Sequence, residues 1–150
     1  PLDRVLLPVR VAFLAGDESS AAADAETCDF KVVQRAFDAM TSLEAPVQER
    51  LLERLGAHQS VRIIGPLSGD TAVRVSTVSM VHATLDPRRI VEIACSAGFG
   101  IRHGHMYAYR LCEQMQIAPV PGVVRISAVH YNTVSEVDGL CDVLEESLAL

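Results

Sequence analysis

Two arginines lie beside or within short apolar segments, and their surroundings indicate a chemical role. Arg102 follows the segment GFGI, and Arg125 lies inside VVRIS. Such segments are typical of buried strands, and an unpaired buried charge is costly. A guanidinium group can donate two parallel hydrogen bonds to a carboxylate or a phosphate. We therefore expect the two arginines to face one shared cleft at the edge of a sheet and to bind a small anion. The alternative is a structural ion pair of each arginine with a helix carboxylate.

The composition limits the classes of partner. The chain has 150 residues, of which 49% are hydrophobic, and its net charge is -6. Lys31 is its one lysine, and its arginines are scattered. This argues against a nucleic-acid or membrane surface. No apolar segment approaches the roughly 20 residues of a membrane span, and we expect a cytoplasmic protein. The first residue is proline rather than methionine, which is consistent with a piece of a longer protein.

The four cysteines show no metal-binding pattern. They have neither a C-x-x-C pair nor the spacing of a zinc site. Three of them lie among apolar residues of predicted helices. We expect reduced, buried thiols at all of these positions, which are Cys28, Cys95, Cys112 and Cys141.

Hydrophobic periodicity predicts alternating helices and strands. Apolar residues recur at helical spacing from Phe30 to Leu55, across Pro46, which predicts one long bent helix or two helices meeting near Ala45. Further helices are predicted after the Asp86-Pro87 start, over 107–115, and after the capping box Thr133-Val-Ser-Glu136. Strands are predicted at 61–64, 72–81, 99–102 and 123–129, with the first two forming a hairpin with a long loop.

These elements predict an α/β fold of the α+β sandwich kind. A small sheet of three or four strands should carry its helices mainly on one face. The last predicted helix has an acidic side that includes Asp138, Asp142 and Glu145. That side is either a partner surface or simply solvated.

Three segments resemble a known enzyme family. RVSTVSM (74–80), GFGIRHGHMYA (98–108) and VVRISAVHYNTVSEVDGLCDVLEESL (123–148) resemble the carboxy-terminal region of class V aminotransferases, especially the cysteine-desulfurase-like branch of these fold type I pyridoxal-phosphate enzymes. The resemblance implies that residues 41–150 form the small domain and that residues 1–40 form a linker or the end of the large domain. It also implies pyridoxal phosphate in the full-length enzyme but none bound to this chain alone, and a homodimer.

The resemblance also implies the roles of particular residues. Arg125 lies where the family's arginine holds the α-carboxylate of the amino-acid substrate, and Arg102 would line the same cleft. Tyr107 would offer a hydrogen-bonding group at the cleft mouth. The implied function is substrate-carboxylate binding by the small domain of an aminotransferase or lyase that is inactive without its large domain. No catalytic residue is expected within the chain itself.

Two departures from the family pattern leave enzymatic activity open. Tyr107 stands where desulfurases have their nucleophilic cysteine, and tyrosine cannot form a persulfide. Cys112 lies in a predicted helix, where burial would keep it inert. Lys31 lies in an amphipathic helix pattern with no cofactor loop before it, so we do not expect it to form the Schiff base.

Two alternatives remain. The chain is either a degenerate relative that serves as a non-catalytic α/β binding or scaffold module, or a small metal-binding domain. The second alternative depends on His103 and His105, whose rings would lie on one side of an extended strand, with His130 or Glu113 approaching in space.

Overall fold

The computed structural model describes residues 30–148, which form an antiparallel sheet and helices. The helices are α1 (Phe30–Gly56), α2 (Pro87–Ser96), α3 (Tyr109–Gln114) and α4 (Val134–Leu148). The strands are β1 (Val61–Ile64), β2 (Thr77–His82), β3 (Arg102–Gly104) and β4 (Val123–Ser127). Their order in the sheet is β1-β2-β4-β3, and all neighbouring strands run antiparallel. The predicted fold class and the β1–β2 hairpin are confirmed.

β4 ends at Ser127 rather than at residue 129, and two strands start later than predicted for local reasons. β2 begins at Thr77 rather than at residue 72, because the preceding loop closes on itself. In that loop the Asp70 carboxylate accepts from the Ala72 amide, and the Arg74 guanidinium donates to the carbonyls of Pro66 and Thr77. Arg102 begins β3 instead of ending it, because residues 97–101 form a turn after α2 that backbone hydrogen bonds hold in place.

The main core lies between one face of the sheet and three helices. Alternate residues of β2 and β4, including Met80 and Val124, point to this face and are fully buried. They pack against apolar residues of α1, α2 and α4 such as Leu51, Ile90 and Leu144. We call this side the helix face. A smaller cluster lies on the other side of the sheet, where α3 and the residues after it cover one end, so the prediction of helices mainly on one face holds.

The first described helix is continuous through its proline. α1 runs from Phe30 to Gly56 with Pro46 inside it, so the alternative of two helices is wrong. Pro46 is exposed, whereas the adjacent Val47 is buried in the core. Packing of Val47, Leu51 and Leu55 holds the second half of the helix against the sheet in spite of the hydrogen bond that proline cannot donate.

The acidic side of α4 pairs with α1. Arg54 donates to Asp138 at 3.1 Å, to Asp142 at 2.7 Å and to Glu145 at 2.8 Å. Arg50 donates to Asp138 at 2.7 Å, and His58 lies 3.2 Å from Glu145. We call these six residues the α1–α4 ion network. Hydrogen bonds from Arg50 lower the pKa of Asp138, and hydrogen bonds from Arg54 lower the pKa of Glu145. The interpretation as a solvated face therefore omits this pairing, although Asp142 remains exposed, and the partner surface stays a prediction.

Both predicted helix starts are confirmed. Asp86 caps α2 by accepting from the Arg88 amide at 2.8 Å, and Pro87 occupies the first turn. Thr133 and Glu136 form a capping box, in which the Glu136 amide donates to the Thr133 hydroxyl and the Glu136 carboxylate accepts from the Thr133 amide.

The cysteines divide by burial. Cys112 and Cys141 are buried, and burial raises the pKa of the Cys141 thiol to about 11. Cys95 is exposed, so the expectation of a buried thiol is wrong at this position, because Cys95 lies on the outer side of α2. Cys28 lies outside the described residues. None of the helices in residues 30–148 combines the length and the apolar character that crossing a bilayer requires.

Candidate anion-binding face

The side of the sheet opposite the helix face carries the candidate site. Strand register assigns to this side Arg62, Ile64, Thr77, Ser79, Val81, Arg102, Gly104, Val123, Arg125 and Ser127. We call it the arginine face. Its strand positions include three arginines and, within the four described strands, no acidic residue. α3 covers the end that holds Val81 and Val123, and no helix of residues 30–148 covers the end around Arg125.

Arg125 lies near the centre of this face. It is half-buried on β4, with Ser79 of β2 directly opposite on one side and Arg102 of β3 directly opposite on the other. Its Nε atom is buried and has no hydrogen-bond partner among the described residues. Within residues 30–148 no carboxylate lies within ion-pair distance of Arg125, so a structural ion pair with a helix is not what holds it there.

Arg102 lies at the edge of the same face. Because it pairs directly with Arg125, both side chains leave the sheet on the same side, as the expected shared cleft requires, and the cleft itself stays a prediction. Arg102 is exposed, however, so the expectation of a buried arginine is wrong here. β3 is an edge strand, and this explains the exposure. A groove beside β3 is lined by Arg102 together with Cys95 and Ile101, but Arg125 is not among its lining residues.

Hydroxyl groups complete the surroundings of Arg125. Ser79 lies in register with it, and one step further along the sheet the Thr77 hydroxyl donates to the Ser127 hydroxyl at 3.2 Å. Sequence analysis missed Ser79 and Thr77 as neighbours of Arg125. The alternation of buried and half-buried residues along β2 is the signal that would have placed them on one face.

Tyr107 lies in a tight turn that follows β3. The Ala108 amide donates to the His105 carbonyl at 2.7 Å, and the two central residues, Met106 and Tyr107, have φ values of 48° and 63°. Residues other than glycine, asparagine and aspartate rarely adopt this left-handed conformation, and it costs on the order of 1–3 kcal/mol per residue. The turn holds the Tyr107 side chain fully exposed to solvent, beyond the end of the strand that carries Arg102.

Gly122 fixes this turn against β4. A Cβ atom at Gly122 would lie 2.2 Å from the carbonyl carbon of Gly104, and the φ of Gly122 is 80°. Only glycine permits this approach of two backbones. The segment after β3, including Tyr107, is thereby held close to the start of the strand that carries Arg125.

The histidines do not assemble a metal site. The Nδ1 atom of His103 lies 3.3 Å from the carbonyl of Pro121, and the ring of His105 meets the ring of Tyr109 edge to face at 5.7 Å. Across the described part of the chain, no three histidine, cysteine or acidic side chains come together as metal ligands would. The metal-binding alternative therefore has no support from the geometry.

The described residues do not fit a covalently held pyridoxal phosphate. The chain's one lysine, Lys31, lies exposed on the first turn of α1. α1 packs on the helix face, which is the opposite side of the sheet from Arg125. If the cofactor takes part in the protein's chemistry, a lysine from outside these 150 residues must hold it.

Comparison with known proteins extends these observations. Residues 13–140 match the model of the family Aminotransferase class-V. The chain is 38% identical over 113 residues to "Aminotransferase-like protein FGM3" of Gibberella zeae, which corresponds to 75% of this chain and 28% of that protein.

Solved structures share the fold. A NifS-like protein from Rickettsia africae matches with a TM-score of 0.63 at 17% identity, over 80% of this chain and 32% of that one. The apo cysteine desulfurase of Thermococcus onnurineus matches with a TM-score of 0.63 at 23% identity, over 77% of this chain and 29% of that one. The cysteine desulfurase CsdA of Escherichia coli matches with a TM-score of 0.62 at 17% identity, over 82% of this chain and 32% of that one. The chain thus spans about a third or less of the length of these relatives.

Proposed function

The chain belongs to the class V aminotransferase family, and on that premise we propose that it binds the α-carboxylate of an amino-acid substrate for a pyridoxal-phosphate enzyme. The observation that carries this proposal is the environment of Arg125. Its guanidinium group is half-buried on a face without acidic strand residues, and its Nε has no partner within the described structure. A carboxylate docked there would accept two parallel hydrogen bonds and would offset the cost of the buried donor.

The neighbours of Arg125 suit a carboxylate rather than an apolar ligand. Ser79 and Ser127 carry hydroxyl groups that can donate to an anion, Thr77 donates to Ser127, and Arg102 adds a second positive charge. A bidentate contact with Arg125 would fix the orientation of a substrate before any chemistry at its α-carbon. Tyr107, fully exposed in the turn after β3, would supply a phenol hydroxyl at the mouth of the cleft.

The remaining parts of the proposal concern the whole protein. A large domain would hold the cofactor, and this domain would close over the substrate, so that residues 41–150 alone would be inactive. We also propose that the protein is a homodimer. We further propose that it is cytoplasmic, which the free thiols of Cys95, Cys112 and Cys141 support. Tyr107 in the place of a nucleophilic cysteine favours transamination or lyase chemistry over sulfur transfer.

A non-catalytic relative is the second candidate. The absence of any lysine other than Lys31 from these 150 residues is the observation that favours it. The nucleotide sequence upstream of Pro1 distinguishes the two candidates. An upstream reading frame that encodes a large domain with a lysine after a strand supports the enzyme, and its absence supports a binding or scaffold module.

Substitution of Arg125 tests carboxylate binding directly. The whole protein, as its gene encodes it, is dialysed to equilibrium against a panel of labelled L-amino acids, and the best ligand is compared with its carboxamide. Arg125→Gln should weaken binding of the amino acid by about tenfold or more and leave binding of the carboxamide unchanged. Arg62→Gln, on the same face but at the opposite edge of the sheet, is the matched control. Equal affinities in the wild type and Arg125→Gln would contradict the proposal.

A further inference from the structure

Two arginines occupy directly opposed strand positions on the arginine face. Arg102 and Arg125 are register partners on adjacent antiparallel strands. The Cβ atoms of such partners lie about 4.5–5.5 Å apart, and like charges in this arrangement are destabilising. Within residues 30–148 neither arginine has a carboxylate within ion-pair distance. The fold therefore keeps two adjacent positive charges that no described side chain neutralises.

The two arginines occupy different environments. Arg125 is half-buried on an inner strand, with its Nε enclosed, whereas Arg102 is exposed on the edge strand. A bidentate contact with one arginine engages both oxygens of a carboxylate and balances its single negative charge. A ligand carboxylate seated on Arg125 would thus leave the guanidinium of Arg102 available at the outer side of the same ligand.

The opposite side of Arg125 is neutral. Ser79 is its other register partner, and Thr77 and Ser127 pair their hydroxyls one step away. Positive charge is thus concentrated toward β3, and a substrate that carried one carboxylate would leave that end without a counter-charge. An α-carboxylate together with a second acid, a few carbon atoms apart, would neutralise both arginines.

We infer that Arg102 binds a second acidic group, so that the substrate is an amino acid whose side chain ends in an acid. This inference rests on the proposed function, because it takes Arg125 as the site of the α-carboxylate. It assigns specificity to Arg102, a residue on the outer strand, and it names amino-dicarboxylic acids or their phosphorylated counterparts as the class of substrate.

The test compares ligands of nearly equal size that differ in one charge. Equilibrium dialysis on the whole protein at low, constant ionic strength would measure binding of succinate, of succinamate, in which an amide replaces one carboxylate, and of 3-phosphonopropanoate. We expect succinate to bind about tenfold more tightly than succinamate. Tighter binding of 3-phosphonopropanoate than of succinate would also support a second acid and would identify it as phosphoryl.

Single substitutions distinguish the contributions of the two arginines to ligand binding. Arg102→Gln should bring the succinate-to-succinamate ratio to about one while leaving the affinity for succinamate within about twofold. Arg125→Gln should weaken both ligands, and Arg62→Gln should change neither. Arg62 carries the same charge on the same face, three strands away from Arg102, so it controls for non-specific attraction of anions. Circular dichroism and thermal unfolding would show that each variant is folded.

Failure of the inference and failure of the proposed function give different results. If Arg125→Gln weakens both ligands but the wild type binds succinate and succinamate equally, the second-acid role of Arg102 is wrong and the role of Arg125 stands. The second-acid role is also wrong if Arg102→Gln weakens both ligands equally, because the two arginines then share one carboxylate. If Arg125→Gln leaves both affinities unchanged, the proposed function itself is wrong and the inference falls with it.

Discussion

The two faces of the sheet are formed by the same four strands but serve different purposes. On the helix face, side chains such as Val78, Met80 and Val124 are fully buried in an apolar core. On the arginine face, Arg125 has a buried Nε without a partner, and Arg102 lies beside it with the same charge. Alternation along the strands therefore puts the apolar core residues on one side of the sheet and the polar residues on the other. The helix face holds the domain together, and the other face keeps polar groups that a ligand can satisfy.

Met80 and Ser79 give the largest expected contrast between the faces. They are neighbours on β2, and Met80 points into the core whereas Ser79 points to the arginine face. Met80→Ala should lower the free energy of unfolding by about 2–5 kcal/mol, because it removes buried contacts and leaves a cavity. Urea denaturation provides the measurement. Ser79→Ala is the matched control and should change the value by about 0.5 kcal/mol or less. Equal losses in the two variants would contradict the division between the faces.

Gly122 tests how tightly the turn after β3 is held to the arginine face. Gly122→Ala would drive a methyl group into the backbone of Gly104 and would also strain a residue with φ of 80°. Gly98 has a similar φ of 90°, but nothing lies within 4 Å of its added Cβ, so Gly98→Ala isolates the backbone strain. We expect Gly122→Ala to lower the free energy of unfolding by about 1–3 kcal/mol more than Gly98→Ala.

Thermal and urea unfolding of the two glycine variants would measure this difference. If Gly98→Ala and Gly122→Ala lose the same stability, the close approach of Gly122 to Gly104 contributes nothing, and the turn is not fixed against β4.

Acid should lower the free energy of unfolding, because it weakens the α1–α4 ion network. The pKa values of Asp138 and Glu145 are lower in the folded protein than in the unfolded chain, because these carboxylates accept hydrogen bonds from Arg50 and Arg54. The network therefore stabilises the fold fully above the unfolded-chain values of about 4, and this contribution is lost as the pH falls through the lowered folded values. Stability should fall less steeply between pH 7 and pH 3 in Arg54→Gln than in the wild type.

Urea unfolding at a series of pH values would test this dependence. Arg89→Gln is the control, because Arg89 forms an exposed pair with Glu92 at 3.4 Å on α2, outside the network. Parallel pH curves for the wild type and Arg54→Gln would show that the network does not couple acid to unfolding.

The smallest effect is expected from Arg102→Gln. Removing one of two directly opposed positive charges should raise the free energy of unfolding slightly, by at most about 1 kcal/mol. Urea unfolding at low ionic strength, where the repulsion is strongest, is the measurement. Arg62 has no cation opposite it, so Arg62→Gln should not raise the free energy of unfolding. A clear loss of stability in Arg102→Gln would mean that this arginine supports the fold instead of being kept for a ligand.

The sequence predicted the elements well where local signals are strong. The helix starts at Asp86 and Thr133 depend on capping side chains a few residues away, and both were placed correctly. β2 and β3 were misplaced, because their boundaries depend on a closed loop and on the turn after α2, neither of which leaves a periodic signal. Pro46 left two alternatives open, and tertiary packing of Val47 and Leu51 decided between them.

The sequence indicated candidate residues for the site but not their arrangement. Alternation along β4 and the apolar flanks of Arg125 indicated a polar group in a sheet, and the resemblance to a family implied its ligand. The register that brings Arg102 opposite Arg125 depends on strand pairing over more than twenty positions of chain, which no local pattern encodes. The ion pairs of the acidic side of α4 were not predicted for the same reason, because their partners lie on a helix more than eighty positions earlier.

The turn at residues 105–108 gives the protein a place where chemistry can change without rebuilding the fold. Its shape comes from backbone conformation and from Gly122, while the side chain at Tyr107 makes no contribution to the core and extends fully into solvent. The residue at this one position can therefore change without loss of packing. Its identity is free to vary while the backbone around it is inherited unchanged.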